Sequence, residues 1–231
     1  MSIVEALSDK TTYIFDFFHT LTEKESKWGN WPWTSDFFGI DREVWGEQLE
    51  FYSEDRLKGR ITYAFDFMKL LATKLDPSIT DEKIKEALVY RQKRFDYSVI
   101  NIPDYVIETL KTLKSKGKKL GLISNADSME LAAWDKCPIA DIFDVTIHSF
   151  KVDKMKPEKE IYELCLKELG SSARETVFVG DGGSDELVGA RECFLTTIMV
   201  EGIVSEFLSK KKLEKRKEYA EFVVDTIDQI L

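Results

Sequence analysis

The chain has 231 residues, enough to bury the core of one domain or of one domain with an insertion. Its 33 Lys and Arg residues against 42 Asp and Glu residues give a net charge of −9, and a surface this acidic repels nucleic acid and anionic membranes. No apolar run approaches the length of a membrane span, and the first residues lack the cationic start and apolar stretch of a signal peptide. We therefore expect a cytoplasmic protein with neither nucleic acid nor a membrane as its partner.

Short apolar runs rich in β-branched residues recur along the chain and predict strands that are buried on both faces of a sheet. They cover residues 12–18, 119–124, 144–150, 176–181 and 196–200. Helical patterns lie between the later runs, at residues 103–117 and 156–170, and each of these patterns stops at a glycine. Alternating strands and helices with right-handed crossovers predict an α/β fold with a doubly wound parallel sheet.

Residues 23 to about 101 interrupt this alternation. They contain amphipathic helical stretches at 41–57, 61–75 and 80–95 and no convincing strand. A helical block between the first two strands predicts an inserted all-helical cap domain above the carboxyl ends of the strands, where such sheets bind ligands. The predicted domains are an α/β core at 1–22 and 102–231 and a helical cap at 23–101.

Polar residues follow the predicted strands at the points where a packed core has no need of them. They are Asp16, Thr20, Ser124, Asn125, Lys156, Asp181 and Asp185. Because the carboxyl ends of neighbouring parallel strands lie side by side, we expect these side chains to converge. Carboxylates suit Mg²⁺, while a lysine and hydroxyl groups can compensate the charge of a phosphoryl group.

The segments that carry these residues resemble the four motifs of the haloacid dehalogenase superfamily. In chain order they read FDFFHTLT, LISN, KMKPEKEIY and VFVGDGGSDELVGA, with a helical insertion after the first. The similarity covers nearly the whole chain, including an ending at 220–231 that resembles the short last strand and helix of that superfamily. The resemblance implies a Rossmann-like core with a helical cap, a hydrolase activity, and a small phosphorylated metabolite as the substrate.

The resemblance also implies catalytic and substrate-binding roles. Asp16 is the implied nucleophile, which forms a covalent aspartyl intermediate, and Lys156 offsets charge on the nucleophile and on the substrate. Thr20 and Ser124 are implied to bind the transferring group, with Asn125 assisting. The chemistry of the residues agrees, because a carboxylate can attack an anion only if a metal cation and a lysine cancel the repulsion.

A magnesium site is the third implication of the resemblance. Its implied ligands are Asp16, the backbone carbonyl of Phe18 and Asp181, with Asp185 in support through water or Lys156. The predicted cofactor is therefore Mg²⁺, bound by side chains that belong to the first and the fourth motif.

Phe18 stands two residues after the nucleophile, where phosphatases of the superfamily usually have an aspartate that protonates the leaving oxygen. A Mg²⁺-dependent phosphatase with this change must use good leaving groups or another donor such as His19, which stands where the family usually has glycine. A 2-haloacid dehalogenase needs no such proton but lacks the acid at Asp181, and a phosphonatase needs a Schiff-base lysine, for which Lys58 is the candidate. Phosphoryl transfer is the prediction, and a metal-binding or partner-binding module without catalysis is the alternative outside the enzymes.

The insertion has two further features. Residues 27–33, KWGNWPW, set three tryptophans close together, and Trp45 follows. They either line a pocket for a flat or apolar leaving group or fasten the cap to the core. Arg56 and Arg60 are candidates for contact with a substrate anion. The basic run at 210–217 is predicted to be a solvated helix face.

Overall fold

The computed structural model describes residues 3–231, and its centre is one parallel sheet of six strands. The strands are β1 (Thr12–Phe15), β2 (Lys119–Ser124), β3 (Val145–His148), β4 (Thr176–Gly180), β5 (Thr196–Val200) and β6 (Phe222–Val224). Their order across the sheet is β3-β2-β1-β4-β5-β6. Because the chain moves from β1 first to one side and later to the other, the sheet is doubly wound, and the predicted α/β fold class is confirmed.

The α-helices lie in the connections between these strands. In chain order they are α1 (Ile3–Ala6), α2 (Thr34–Phe38), α3 (Arg42–Phe51), α4 (Ser53–Leu57), α5 (Ala64–Leu75), α6 (Asp81–Ile100), α7 (Asp104–Ser115), α8 (Ser149–Val152), α9 (Lys159–Leu169), α10 (Glu186–Glu192) and α11 (Lys210–Lys217). Within the described residues, no helix has both the length and the apolar character that crossing a membrane requires.

Both faces of the sheet are buried, which explains why its strands are continuous apolar runs. Tyr13 and Phe15 of β1 face a cluster that includes Leu110 of α7, whereas Ile14 faces a second cluster with Ile161 of α9. Successive side chains of a strand point to opposite faces, so a strand covered by helices on both sides must be apolar at every position.

Helices fill the connection between β1 and β2, and the described residues 16–118 contain no strand. They have an apolar cluster of their own, in which Trp45, Leu71 and Ile84 are buried. The predicted helix over 41–57 is two helices, α3 and α4, separated at Tyr52, and α2 arises in a segment for which no helix was predicted. The division into domains at residues 23 and 101 stays a prediction.

The first strand is shorter than its apolar run. It ends at Phe15, although the backbone N–H of Asp16 still donates to the carbonyl of Val179 at 2.9 Å. Phe17 is fully buried in the core, and Phe18 packs against it in a loop. The run extends to residue 18 because these two rings are buried by tertiary contacts, not because they belong to the sheet.

Two glycines inside helices test how closely the helices pack. A Cβ atom on Gly189 of α10 would lie 2.4 Å from the carbonyl oxygen of Pro157 and 2.8 Å from the ring of Tyr162, whereas one on Gly46 of α3 would meet open space. We expect Gly189→Ala to lower the free energy of unfolding by about 1–3 kcal/mol because it overpacks this contact. Gly46→Ala should raise it by about 0.5–1 kcal/mol through the better helix propensity of alanine.

Denaturant unfolding of the two variants measures this difference. Equal changes in the free energy of unfolding would contradict the close approach of α10 to Pro157.

Candidate active site

The first two acids of the site are placed by neighbouring strands. Asp16 follows β1 and Asp181 follows β4, and these strands pair with Phe15 opposite Val179. Asp16 and Asp181 therefore leave the sheet at the same edge, and Asp181 lies one residue further along its strand than Asp16 does. Both are more than nine-tenths buried, which is costly for carboxylates unless cations or hydrogen-bond donors compensate them.

Lys156 compensates the first of these acids. Its side chain is 1% exposed, and Nζ contacts Oδ1 of Asp16 and lies 2.6 Å from Oε2 of Glu186. The other carboxylate oxygen of Asp16 accepts a hydrogen bond of 2.9 Å from the hydroxyl of Thr20. The predicted nucleophile, the predicted lysine and the predicted hydroxyl donor thus lie in direct contact.

Glu186, and not Asp185, is the second acid of the fourth motif that joins this cluster. Asp185 is exposed, whereas Glu186 is 1% exposed, contacts Lys156 and accepts the backbone N–H of Gly182 at 2.9 Å. The expected support from Asp185 through Lys156 is therefore corrected. The sequence did contain a signal, because Glu186 and Ala190 are four residues apart and share the buried face of α10.

Burial shifts the ionisation of the cluster. It raises the pKa of Asp16, and the charge of Lys156 offsets this only in part. Burial and the charge of Asp16 raise the pKa of Glu186 well above its usual range. Burial alone would lower the pKa of Lys156, but the two carboxylates outweigh it and raise the value to about 12. The lysine is a fixed cation that two acids share.

Asp181 has different partners. Nδ1 of His19 and NH1 of Arg216 lie 3.7 and 3.0 Å from its Oδ2 atom. Burial would raise the pKa of Asp181, but His19 and Arg216 outweigh it and hold the value at about 2. Arg216 belongs to the basic run that was predicted to be a solvated helix face, so the sequence did not indicate its contact with Asp181.

The side chain of Arg216 packs against Gly182, where a Cβ atom would lie 3.0 Å from the Cβ atom of Arg216.

His19 holds an imidazole at the same cavity. Its backbone has φ of +62°, a conformation that favours glycine, and Nε2 lies 2.9 Å from Oε2 of Glu25 without an aligned hydrogen bond. Burial would lower the pKa of His19, but its contacts with Asp181 and Glu25 outweigh this and raise it to about 10. The group is an imidazolium at neutral pH.

The second motif contributes a brace and an unpaired hydroxyl group. Asn125 accepts the backbone N–H of Lys156 and donates to its carbonyl, both at 2.8 Å, so it fixes the loop that carries the lysine. Oγ of Ser124 is buried and has no hydrogen-bond partner within residues 3–231. Asn125 lines the cavity at Asp16, whereas Ser124, the last residue of β2, is not among the residues that line it.

These residues surround a cavity of about 240 Å³ that suits a divalent cation and an anionic group. One carboxylate oxygen each from Asp16, Asp181 and Glu186 lies within 4.8 Å of the others. Three hard oxygen donors at this separation fit Mg²⁺, which prefers carboxylates and completes its shell with waters and substrate oxygens. Burial raises the pKa values of Asp16 and Glu186, so a divalent cation bound here would stabilise their ionised forms.

A second cavity of about 440 Å³ adjoins the first, and both are lined by Phe18, His19, Asn125 and Ser184. The ring of Phe18 forms part of its wall, 5.7 Å from the rings of Trp28 and Phe95. The position at which the superfamily's phosphatases usually have an acid is here occupied by an aromatic wall.

The other residues that the sequence singled out are engaged elsewhere. Nζ of Lys58 lies 2.5 Å from Glu158 and 3.1 Å from Glu54, and hydrogen bonds to these acids raise its pKa. A Schiff-base lysine must lose its proton, so this environment does not favour the phosphonatase alternative. Arg60 is on the surface, whereas Arg56 lines the larger cavity.

The two histidines allow a test of this electrostatic environment. We expect His19 in metal-free protein to stay protonated until the pH approaches 10, and His148, whose burial lowers its pKa to about 4, to stay neutral down to that pH. Because the folded pKa of His19 lies above its ordinary value of 6.5, its ion pairs stabilise the fold fully below pH 6.5. This stabilisation is lost as the pH rises through 10.

NMR titration of the ¹⁵N-labelled imidazoles with a chelator present measures both values, and the His19→Gln variant assigns the two signals. Titration of both groups near pH 6.5 would contradict the ion pairs of His19.

Structures with a similar fold include dehalogenases and a phosphate complex. An L-2-haloacid dehalogenase from Xanthobacter autotrophicus has a TM-score of 0.60 at 19% identity, with 96% of each chain covered. An enzyme of the same superfamily from Bacteroides thetaiotaomicron, in complex with magnesium and inorganic phosphate, has a TM-score of 0.59 at 19% identity and covers 83% of this chain and 94% of its own. At this identity the likeness establishes the fold alone.

Sequence relatives include phosphatases. A glyceraldehyde 3-phosphate phosphatase from Methanocaldococcus jannaschii is 27% identical over 169 residues, which are 72% of this chain and 68% of the relative. The pyrophosphatase PpaX from Bacillus pumilus is 32% identical over 117 residues, so the match spans about half of each chain, 50% of this one and 53% of the relative.

Two family models match the chain directly. The model of the haloacid dehalogenase-like hydrolases matches residues 10–192, and a second HAD-hydrolase-like model matches residues 155–230. The first match covers more than half of the chain and contains the whole cluster around Lys156. The chain belongs to the haloacid dehalogenase-like hydrolases, and it is a hydrolytic enzyme.

Proposed function

We propose that the protein is a Mg²⁺-dependent phosphatase that transfers the phosphoryl group of a small phosphorylated metabolite to Asp16. The observation that carries the proposal is the group of three buried carboxylates around Lys156, in which Asp16 and Glu186 have raised pKa values. Asp16 must be ionised to act as a nucleophile, and a divalent cation at this cluster lowers the free energy of its ionised form.

The proposed metal ligands are Asp16, Asp181 and the backbone carbonyl of Phe18, with Glu186 as the neighbouring acid that holds Lys156. When it is bound there, Mg²⁺ supplies Lewis-acid stabilisation of the negative charge on the phosphoryl oxygens. The imidazole of His19 and the guanidinium of Arg216 contact the same carboxylate of Asp181, so these two cations share it with a metal or give it up.

The protein's own residues perform the remaining steps of the proposed reaction. One carboxylate oxygen of Asp16 attacks phosphorus and the ester P–O bond breaks, so the phosphoryl group becomes an acyl phosphate on the enzyme. Lys156, held between Asp16 and Glu186, offsets the charge that develops on the phosphoryl oxygens. Thr20 fixes the orientation of Asp16 through its hydrogen bond. Water then hydrolyses the acyl phosphate and releases inorganic phosphate.

His19 is the proposed source of the proton for the leaving oxygen. It lines the catalytic cavity beside Phe18, and in the metal-free protein it is protonated at neutral pH because Asp181 and Glu25 raise its pKa to about 10. Glu25, 2.9 Å from Nε2, would remain as its partner when a metal ion takes Asp181. An acid with this pKa is still strong enough to protonate an alkoxide, and general acid catalysis is typically worth about 10²–10⁴-fold. The residue next to Phe18 would thus take over the function of the missing aspartate.

The helical insertion at 23–101 is the proposed cap domain of this enzyme, and the proposed location of the enzyme is the cytoplasm. The insertion provides most of the walls of the larger cavity, including Trp33, Trp45 and Phe95. A substrate whose phosphate lies at Asp16 would place its remaining atoms between these walls.

A 2-haloacid dehalogenase is the second candidate, and the contacts of Asp181 favour it. His19 and Arg216 compensate Asp181, so its charge does not by itself require a metal. Halide leaves as an anion and needs no proton, which also suits Phe18. The phosphatase proposal is preferred because phosphatases are among the sequence relatives of the chain and because three buried carboxylates lie together at the cavity.

A substrate screen tests the proposal. We expect phosphate release from phosphomonoesters in the presence of Mg²⁺ and none in the presence of a chelator. Asp16→Asn should abolish turnover, because an amide cannot act as the nucleophile. Ser205→Ala is the control, because it changes an exposed side chain and should keep the wild-type turnover.

The same samples are tested with 2-haloacids by measuring halide release. Halide release that persists in chelator, without phosphate release from any ester, would contradict the phosphatase proposal and favour the dehalogenase.

Metal binding is tested separately by calorimetric titration with Mg²⁺. Loss of an outer-sphere partner of a metal ligand typically costs about 10–100-fold in affinity, so we expect Asp181→Ala, which removes a proposed ligand, to lower the affinity by about 100-fold or more. Asp185→Ala removes the same charge from an exposed neighbour and should leave the affinity within about threefold of the wild type. Equal losses in both variants would exclude a specific role for Asp181.

A further inference from the structure

Arg94 of α6 is a buried cation without an acceptor. Its side chain is 6% exposed, and its guanidinium carbon lies 3.7 Å from the ring centroid of Trp33. No oxygen atom within residues 3–231 accepts a hydrogen bond from it or forms an ion pair with it. It lines the larger cavity, next to the catalytic one.

The other arginines of this cavity have carboxylate partners. Arg56 and Arg91 contact Glu130 at 2.8 and 2.6 Å, and Arg42 forms a two-fold hydrogen-bonded pair with Asp36. Each of these three guanidinium groups is therefore compensated within the protein. Arg94 differs from them, because it combines deep burial with the absence of a protein acceptor.

The charges of Glu25 and Asp36 reach Arg94 only at longer range, and neither acid forms a hydrogen bond or an ion pair with it. Glu25 forms its ion pair with His19 at 2.9 Å, and Glu130 is taken by two other arginines. Glu50 lines the cavity but is exposed to solvent, where its charge is screened. The cavity thus offers a largely buried guanidinium, which no acceptor among the described residues contacts, to a molecule that fills it.

The guanidinium of Arg94 lines the cavity without an acceptor from the described part of the chain, and an anionic group in the cavity would supply one. Burial lowers the pKa of Arg94 to about 10, so the group is still a cation at neutral pH. Contact with the face of Trp33 is a cation–π interaction, which leaves the N–H groups of the guanidinium without a hydrogen-bond acceptor. A planar guanidinium with free N–H groups is suited to two-fold hydrogen bonding of a carboxylate or a phosphate.

The position of the cavity connects this charge to the site of phosphoryl transfer. Phe18, His19 and Asn125 line both cavities, so a molecule with its phosphate at Asp16 extends into the larger one. The walls there are aromatic, with Trp28 and Phe95 beside Phe18. A volume of about 440 Å³ is within the usual range for a small-molecule site.

We propose that Arg94 binds a second anionic group of the substrate. The substrate class is then phosphomonoesters whose planar or apolar body carries a carboxylate or a further phosphate. This inference rests on the proposed function, because it takes the phosphate at Asp16 as the first anchor of the substrate. Arg94 acts as a specificity-determining residue, and the aromatic walls hold the body between the two anions.

Matched substrates test the proposal. We expect wild-type protein to prefer carboxyphenyl phosphate, as its meta or its para isomer, to the carbamoylphenyl phosphate of the same shape by about 10–100-fold in kcat/KM, the range of a charge-assisted hydrogen bond. Phenylene bisphosphates are a second set of substrates and show whether Arg94 accepts a phosphate in place of a carboxylate. In Arg94→Gln the preference for the carboxylate over the carboxamide should fall to about threefold or less, mainly through a change in KM.

Arg60→Gln is the matched control, because it removes the same charge from an exposed arginine outside both cavities and should keep the preference. Thermal unfolding of the proteins without ligand separates binding from structure. Arg94→Gln should unfold at about the same temperature as the wild type, since loss of the contact with Trp33 is offset by removal of a buried charge that no acceptor within residues 3–231 contacts. A lower unfolding temperature together with an unchanged substrate preference would make Arg94 a structural residue and overturn the proposal.

A binding measurement keeps this test separate from that of the proposed function. Carboxybenzylphosphonates and their carboxamides cannot be hydrolysed as esters, and their affinities for Asp16→Asn are measured by calorimetry. If no ester is hydrolysed but the carboxylate is preferred through Arg94, the anion site stands and the phosphatase activity does not. If esters are hydrolysed but the carboxybenzylphosphonates and their carboxamides bind with the same affinity, the anion site is refuted and the phosphatase activity stands.

Discussion

The contact of Lys156 with two buried carboxylates is the constraint on which the site depends. It joins three separate parts of the chain: the end of β1 at Asp16, the loop after α8, and the start of α10 at Glu186. A buried ion cluster of this kind is weak evidence for stability, since desolvation offsets much of its Coulomb attraction. The cluster is better understood as a device that keeps a carboxylate and an ammonium group desolvated and fixed before a substrate arrives. The brace from Asn125 to the backbone of Lys156 serves the same purpose.

Phe18 connects the chemistry of the site to its recognition surface. Its ring lines both the polar cavity at Asp16 and the larger cavity, whose walls come mostly from the helical insertion. His19 follows in a left-handed backbone conformation, and its own imidazole lies 3.7 Å from Asp181. Replacement of an acid by an aromatic ring has therefore not left a gap, because the ring packs with Trp28 and Phe95 while an imidazolium lies beside it.

The distribution of charge inside the molecule is opposite to that of the whole chain. The net charge is −9, yet the cavities contain cations that are largely removed from solvent, namely Lys156, Arg94 and His19. Two features of the described residues 3–231 lie in adjoining cavities, namely the group of buried carboxylates at Asp16 and the guanidinium of Arg94, which no protein acceptor contacts. Low-dielectric surroundings strengthen the interaction of each feature with a ligand of opposite charge. A metal ion at one and an anionic group at the other would be such ligands.

The sequence by itself determined the elements and the active edge of the sheet. Runs that are apolar at every position predict strands buried on both faces, and polar residues directly after them mark the edge at which Asp16, Lys156 and Asp181 meet. Local signals of this kind are reliable because they depend on neighbours in the chain. The family motifs added the roles proposed for these residues.

Only the tertiary structure decided which of two adjacent acids enters the site and which cations surround it. Asp185 and Glu186 differ by one position, and the turn into α10 directs one to solvent and the other to Lys156. Arg216 lies in a run that reads as a solvated helix face, and Arg94 is one arginine among several on α6. Their burial and their partners, or the lack of them, follow from packing between segments far apart in sequence, which no local pattern encodes.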